Sequence, residues 1–101
     1  MSIQKKFNPK NPDCKVTFNV VKDISKSGSR ANLAGDFNNW DIESLPMTKQ
    51  KNGDFSVSVN LKKGSEYQFR YLIDGNAWHN EKEADRFVPN GFQGTNSVVK
   101  V

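Results

Sequence analysis

Apolar residues in this chain recur at every second position, a period that suits strands with one buried face and does not suit an amphipathic helix. From Cys14 to Val20 the apolar set is Cys14, Val16, Phe18 and Val20, with Lys15, Thr17 and Asn19 between them. Phe55, Val57, Val59 and Leu61 alternate with Ser56, Ser58 and Asn60. Tyr67, Phe69, Tyr71 and Ile73 alternate with Gln68, Arg70 and Leu72. Shorter strands are expected at Arg30–Ala34, with Ala31 and Leu33 inward, at Ala77–His79, and at Ser97–Val101. Turn formers separate these runs: Gly35-Asp36, Asn52-Gly53, Lys63-Gly64 and Asp74-Gly75-Asn76. The Asp-Gly pair predicts a tight hairpin that returns Ala77–His79 onto its neighbour. No stretch keeps a helical period over three turns, and Lys82–Arg86 has room for one helical turn at most; Asn76 to Asn96 reads as a long link with turn formers at Pro89-Asn90-Gly91 and Gly94. Strands broken by turns roughly every eight to twelve residues, with no internal repeat, predict an all-β fold: an antiparallel, immunoglobulin-like β-sandwich of about seven strands.

With 101 residues the chain fits one domain. Residues 1–12 read as an N-terminal arm and 13–101 as the folded module. A body of this size supports one core and leaves little interior for a deep catalytic cavity, so surface binding suits it better than enclosed chemistry. Cys14 is the single cysteine, so no intrachain disulfide forms, which points to a reduced, cytoplasmic setting. No apolar run approaches the ~18 residues that cross a bilayer, so no membrane partner is expected. The net charge of +4 raises the question of nucleic acid. The lysines argue against it. Lys5, Lys6, Lys10 and Lys15 gather near the N-terminus, while Lys49, Lys51, Lys62, Lys63 and Lys82 are scattered among Asp54, Glu66 and Glu81 and form no basic stripe.

Two segments carry large aromatics where packing does not obviously require them. Asp36-Phe37-Asn38-Asn39-Trp40-Asp41 is a polar run with an indole near its end, and Trp78 follows a turn with Asn76, His79 and Asn80 around it. An indole left on a polar loop either meets a ligand or plugs the end of the sandwich, and the residues alone leave both readings open. A glucose ring offers apolar C–H faces that lie flat on an indole, and a rim of hydroxyls that needs paired donors and acceptors. Arg70, Asn38, Asn39 and Asn96 are candidates for such a polar edge. Catalytic signals are weak. His79 stands alone, neither Cys14 nor any serine has the surroundings of an activated nucleophile, and Glu81, Glu83 and Asp85 in a polar stretch are expected to be solvated rather than paired across a sugar. No His or Cys spacing fits a metal and no Gly-rich phosphate loop is present, so neither metal nor cofactor is expected.

Several runs carry a resemblance: Leu33-Ala34-Gly35-Asp36-Phe37-Asn38-Asn39-Trp40, Pro46-Met47, Tyr67-Gln68-Phe69-Arg70-Tyr71-Leu72-Ile73-Asp74-Gly75, Trp78, and Gly94-Thr95-Asn96-Ser97-Val98-Val99. In order and spacing they resemble the family-48 carbohydrate-binding module. That early-set domain lies at the N-terminus of isoamylases and glycogen branching enzymes, and forms the glycogen-binding domain of the beta subunit of AMP-activated protein kinase. The resemblance spans Cys14 to Val101. It implies non-catalytic binding of α-1,4-glucan (glycogen, starch or maltooligosaccharides) by stacking on Trp40 and Trp78. It further implies that Arg70, where the kinase subunit carries a lysine, and Asn96 bond hydroxyls, and that Phe92 stands where an aliphatic residue slips under the glucan. One extra residue lies between Gly75 and Trp78. The rival expectation is a protein-interaction module that docks onto a separate glucan-metabolising enzyme or regulator through its edge strands or the arm Met1–Pro12.

Overall fold

Alternation in the sequence becomes two stacked antiparallel sheets in the computed structural model, which describes residues 3–21, 29–91 and 94–101. The strands are β1 (Ile3–Phe7), β2 (Asp13–Val20), β3 (Ala31–Gly35), β4 (Thr48–Lys49), β5 (Phe55–Lys62), β6 (Glu66–Ile73), β7 (Ala77–His79), β8 (Arg86–Pro89) and β9 (Thr95–Lys100). One sheet runs β1-β2-β5-β4. The other runs β3-β6-β9-β8, with β7 paired to the end of β6. The core between them is the inward set that the alternation marks: Cys14, Val16, Phe18 and Val20 from β2, Ala31 and Leu33 from β3, Phe55 and Leu61 from β5, and Phe69, Tyr71 and Ile73 from β6. Phe18 meets Phe69 edge-on at 4.9 Å across the interface, and Phe69 meets Tyr71 at 5.7 Å. Each such fully buried ring stabilises the fold by roughly 1.5–3 kcal/mol through removal of apolar surface from water.

The described residues hold nine strands where the sequence suggests about seven. The additions are short or lie at sheet edges, where a strand needs no apolar alternation. Residues 3–7, read from the sequence as part of an arm, run as β1 against β2 in the register Ile3↔Phe18 to Phe7↔Cys14, and only Ile3 of them is buried. β8 lies within the stretch expected as a long link, and β4 is two residues long. Edge strands that are polar resist pairing with foreign chains, which is why their sequences look like loops. The final strand ends at Lys100 rather than Val101, whose backbone instead exchanges hydrogen bonds with Gly64 and Ser65. Lys82 and Glu83 form a turn, no helix follows, and Arg86 opens β8.

Glu81 departs from the expectation of a solvated carboxylate. It is 3% exposed and accepts a 2.8 Å hydrogen bond from the Tyr71 hydroxyl, while its backbone N–H donates to Ser97 Oγ. Ser97 Oγ donates in turn to Asn80 Oδ1, and Asn80 Nδ2 donates to Thr95 O. Burial, and then the Glu81 charge, push the Tyr71 hydroxyl pKa well above its usual value. This satisfied polar chain pins the link after β7 to the sheet. Asp85 is likewise engaged: its Oδ2 accepts from Lys5 Nζ and from Lys100 N, both at 2.7 Å.

One face of β6 points into the sandwich, so Gln68, Arg70 and Leu72 stand on the opposite, outer face of its sheet. Ala34, Leu72 and Val98 are buried yet lie outside the core cluster. The outer face therefore has an apolar floor of its own, walled by the loops described next.

Candidate functional site

The first wall grows from the end of β3. Gly35 is extended, but a Cβ on it would lie 2.5 Å from Gln68 O and 2.8 Å from Phe69 Cβ, so only glycine lets the chain pass this close to β6. A short 3-10 turn follows over Asp36–Asn38. Asn39 (φ 57°) and Trp40 (φ 58°) then adopt left-handed backbone, common for asparagine and strained for tryptophan. Hydrogen bonds hold Trp40 there. Trp40 N donates to Gly35 O at 2.9 Å, and its indole Nε1 donates to Asp36 Oδ1 at 3.0 Å. The other oxygen of Asp36 accepts from Gln68 N at 2.8 Å, so one carboxylate ties the indole to β6. Asn38 is a brace rather than the polar edge expected of it: Oδ1 accepts from Gly35 N, and Nδ2 reaches Leu33 O, Asp41 O and Ser44 Oγ at 3.0–3.2 Å.

The second wall is the hairpin after β6. Asp74 (φ 53°) and Gly75 (φ 75°) both take positive φ, as a type I′ turn demands, and Asn76 N closes it on Ile73 O. Asp74 Oδ1 accepts from Ser29 N, Ser29 Oγ and Arg30 N at 2.9–3.1 Å, anchoring the turn. The Ser29 N–H first, then that of Arg30, hold the Asp74 carboxyl below its usual pKa. Beyond the turn, Trp78 pairs with Leu72. Trp78 is 39% exposed, with the Arg70 guanidinium carbon 5.5 Å from its ring centroid, a cation–π contact. Arg70 Nε is buried and has no hydrogen-bond acceptor among the described residues.

Trp40, Arg70, Trp78 and Asn96 line one open cleft of about 320 Å³, joined by Asn90. Trp40 is half-buried and Asn96 is 9% exposed, its Nδ2 donating to Gln68 Oε1 at 3.1 Å. Asn90 escaped sequence reading, where Pro89-Asn90-Gly91 registers as turn formers alone. Its N–H donates to Gly94 O at 3.2 Å. Asp36 escaped it too, because its role depends on a left-handed backbone that swings the indole back four residues. Phe92 lies outside the described residues. His79 is half-buried opposite Tyr71, away from the cleft lining.

Two indoles, a guanidinium and two carboxamides thus share one open face of the sandwich, flat apolar area edged by groups that can hydrogen-bond. Comparison with known proteins adds the family. The family described as the glycogen recognition site of AMP-activated protein kinase matches residues 18–101. The chain is 32% identical over 94 residues to an amylopullulanase of Thermoanaerobacterium thermosulfurigenes, covering 84% of this chain and 5% of that protein. It is 32% identical over 74 residues to 5'-AMP-activated protein kinase subunit beta-1 of Sus scrofa, covering 73% of this chain and 56% of the subunit. The match thus spans only part of either relative. The chain belongs to the family of the glycogen recognition site of AMP-activated protein kinase, a carbohydrate-binding module.

Proposed function

We propose that this module binds α-1,4-linked glucan, as in glycogen, starch or maltooligosaccharides, by seating sugar rings on Trp40 and Trp78 while Arg70 and Asn96 bond hydroxyls. The observation that carries this reading is the convergence of all four side chains on one cleft, although they come from four separate segments of the chain. Each element has a physical part. Asp36 holds the Trp40 plate at a set angle, and Arg70 backs the Trp78 plate while its charged head offers fixed donors to hydroxyl oxygens. Asn90, on the same wall as Asn96, adds a second amide edge.

The cleft is open, so much of a bound sugar stays hydrated and affinity is modest, roughly micromolar to millimolar. The small share of the amylopullulanase that the match covers suits a module that holds a larger glucan-active body against its substrate. Titration with maltoheptaose, followed by intrinsic tryptophan fluorescence, tests the reading. Saturable change is expected, and no response up to about 10 mM overturns it.

A further inference from the structure

The outer face of the β3-β6-β9-β8 sheet has a second hollow, of about 230 Å³, lined by Arg30, Asn32, Ile42, Glu43, Leu72 and Gly75. It adjoins the cleft in two ways. Trp78 pairs with Leu72, and Leu72 pairs with Asn32, so one cross-strand row runs from the cleft wall through the apolar floor into the hollow. That row covers two inter-strand spacings, about 10 Å, which is the scale of a disaccharide. In addition, a single loop borders both depressions: Trp40 stands in the cleft and Ile42, two residues on, stands in the hollow.

The lining has the composition a sugar needs. Ile42 is 43% exposed, an apolar surface with no packing reason to face water, and Leu72 extends the apolar floor beneath it. Arg30 and Asn32 bring donors, Glu43 and Asn32 bring acceptors. Gly75, whose positive φ in the turn calls for glycine, lets the Arg30 guanidinium lie close, since a Cβ there would be 3.0 Å from Arg30 Nη2.

We propose that this hollow is an extension subsite: a glucan seated on Trp40 and Trp78 continues across Leu72 onto Ile42, with Arg30, Asn32 and Glu43 bonding its hydroxyls. The inference rests on the reading of the cleft given above and deepens it, because it makes the module selective for chains longer than the cleft covers. Ile42→Asp removes the apolar platform at an exposed position, and Glu43→Ala removes an acceptor without touching the core. The Kd of maltotriose and of maltoheptaose is measured by calorimetry for the natural protein and each variant. The subsite predicts that maltoheptaose binds more tightly than maltotriose, and that Ile42→Asp weakens maltoheptaose about five-fold while leaving maltotriose unchanged, with Glu43→Ala acting in the same direction. If both sugars bind the natural protein and each variant keeps the natural protein's ratio of their affinities, the subsite is wrong and the cleft stands. If neither sugar binds the natural protein, the reading of the cleft falls and the subsite with it.

Discussion

The two tryptophans of the cleft are held by opposite means. Trp40 is locked into its own loop: left-handed, half-buried, its indole N–H given to Asp36 and that carboxylate given in turn to β6. Trp78 is carried on a three-residue strand, is 39% exposed, and has its ring supported by a cation–π contact rather than by a tie to its indole N–H. Each wall depends on an aspartate, but Asp36 grips the ring itself whereas Asp74 grips only the turn before it. The contrast teaches that one cleft can be flanked by a ring fixed through its own N–H and by a ring with no such tie; under the proposed function the first would set where a glucan sits and the second would adapt to it. A curved polymer with varied ring tilts suits such a pair better than two rigid plates.

The sharpest way to break this comparison is to remove the open ring. Trp78→Ala is expected to weaken maltoheptaose binding by about 2 kcal/mol, or about thirty-fold, and to lower the melting temperature by roughly 4–8 °C for the ~1 kcal/mol of packing lost from a residue that is 39% exposed. Retention on amylose resin alongside a thermal melt checks both halves. Asp36→Ala comes next: it frees the Trp40 indole and strands the Gln68 N–H. It should cost about 1–2 kcal/mol of stability and about ten-fold in affinity. If Trp40 is fixed through this bond, the affinity cost of Asp36→Ala shrinks in a Trp40→Phe background, which has no indole N–H to hold. An equal cost in both backgrounds would show that Asp36 acts only on the fold.

Arg70→Lys sharpens the comparison on the other side. A lysine keeps the charge but not the planar stack on Trp78, so the free protein's fluorescence should shift and affinity fall only about three-fold. The smallest effect concerns acid. Asp74 is held below the usual aspartate value of 3.8, so its contribution to stability is complete above that pH and disappears as pH falls through the folded value. Thermal melts between pH 5 and pH 2.5 should decline less steeply for Asp74→Asn than for the natural protein, and parallel curves would remove Asp74 as the anchor of the Trp78 hairpin.

What was legible in the sequence follows from burial. β2, β5 and β6 each pack one face into the core, so period-two alternation marks them almost to the residue. β1 and β8 lie at sheet edges where solvent accepts any polar side chain, and their residues therefore read as arm and link. At the cleft, Trp40, Arg70, Trp78 and Asn96 stood out by type and by resemblance to a known pattern. Asp36 was passed over, and Asn38 and Glu81 misjudged, for one reason. Their partners are Trp40 and Gln68, the loop backbone, and Tyr71, and each pairing exists only after the chain has folded. The second hollow was invisible for the same reason, since Asn32, Ile42 and Leu72 meet only across strands.

Because the protein has two tryptophans, its 1H–15N correlation spectrum carries two indole N–H signals, one for each plate. Adding maltoheptaose is expected to move both signals saturably with one shared dissociation constant. The Trp40 signal should also stay protected from solvent exchange by its bond to Asp36. Shifts that gather at residues away from these rings, with both indole signals unmoved at saturating sugar, would contradict the account.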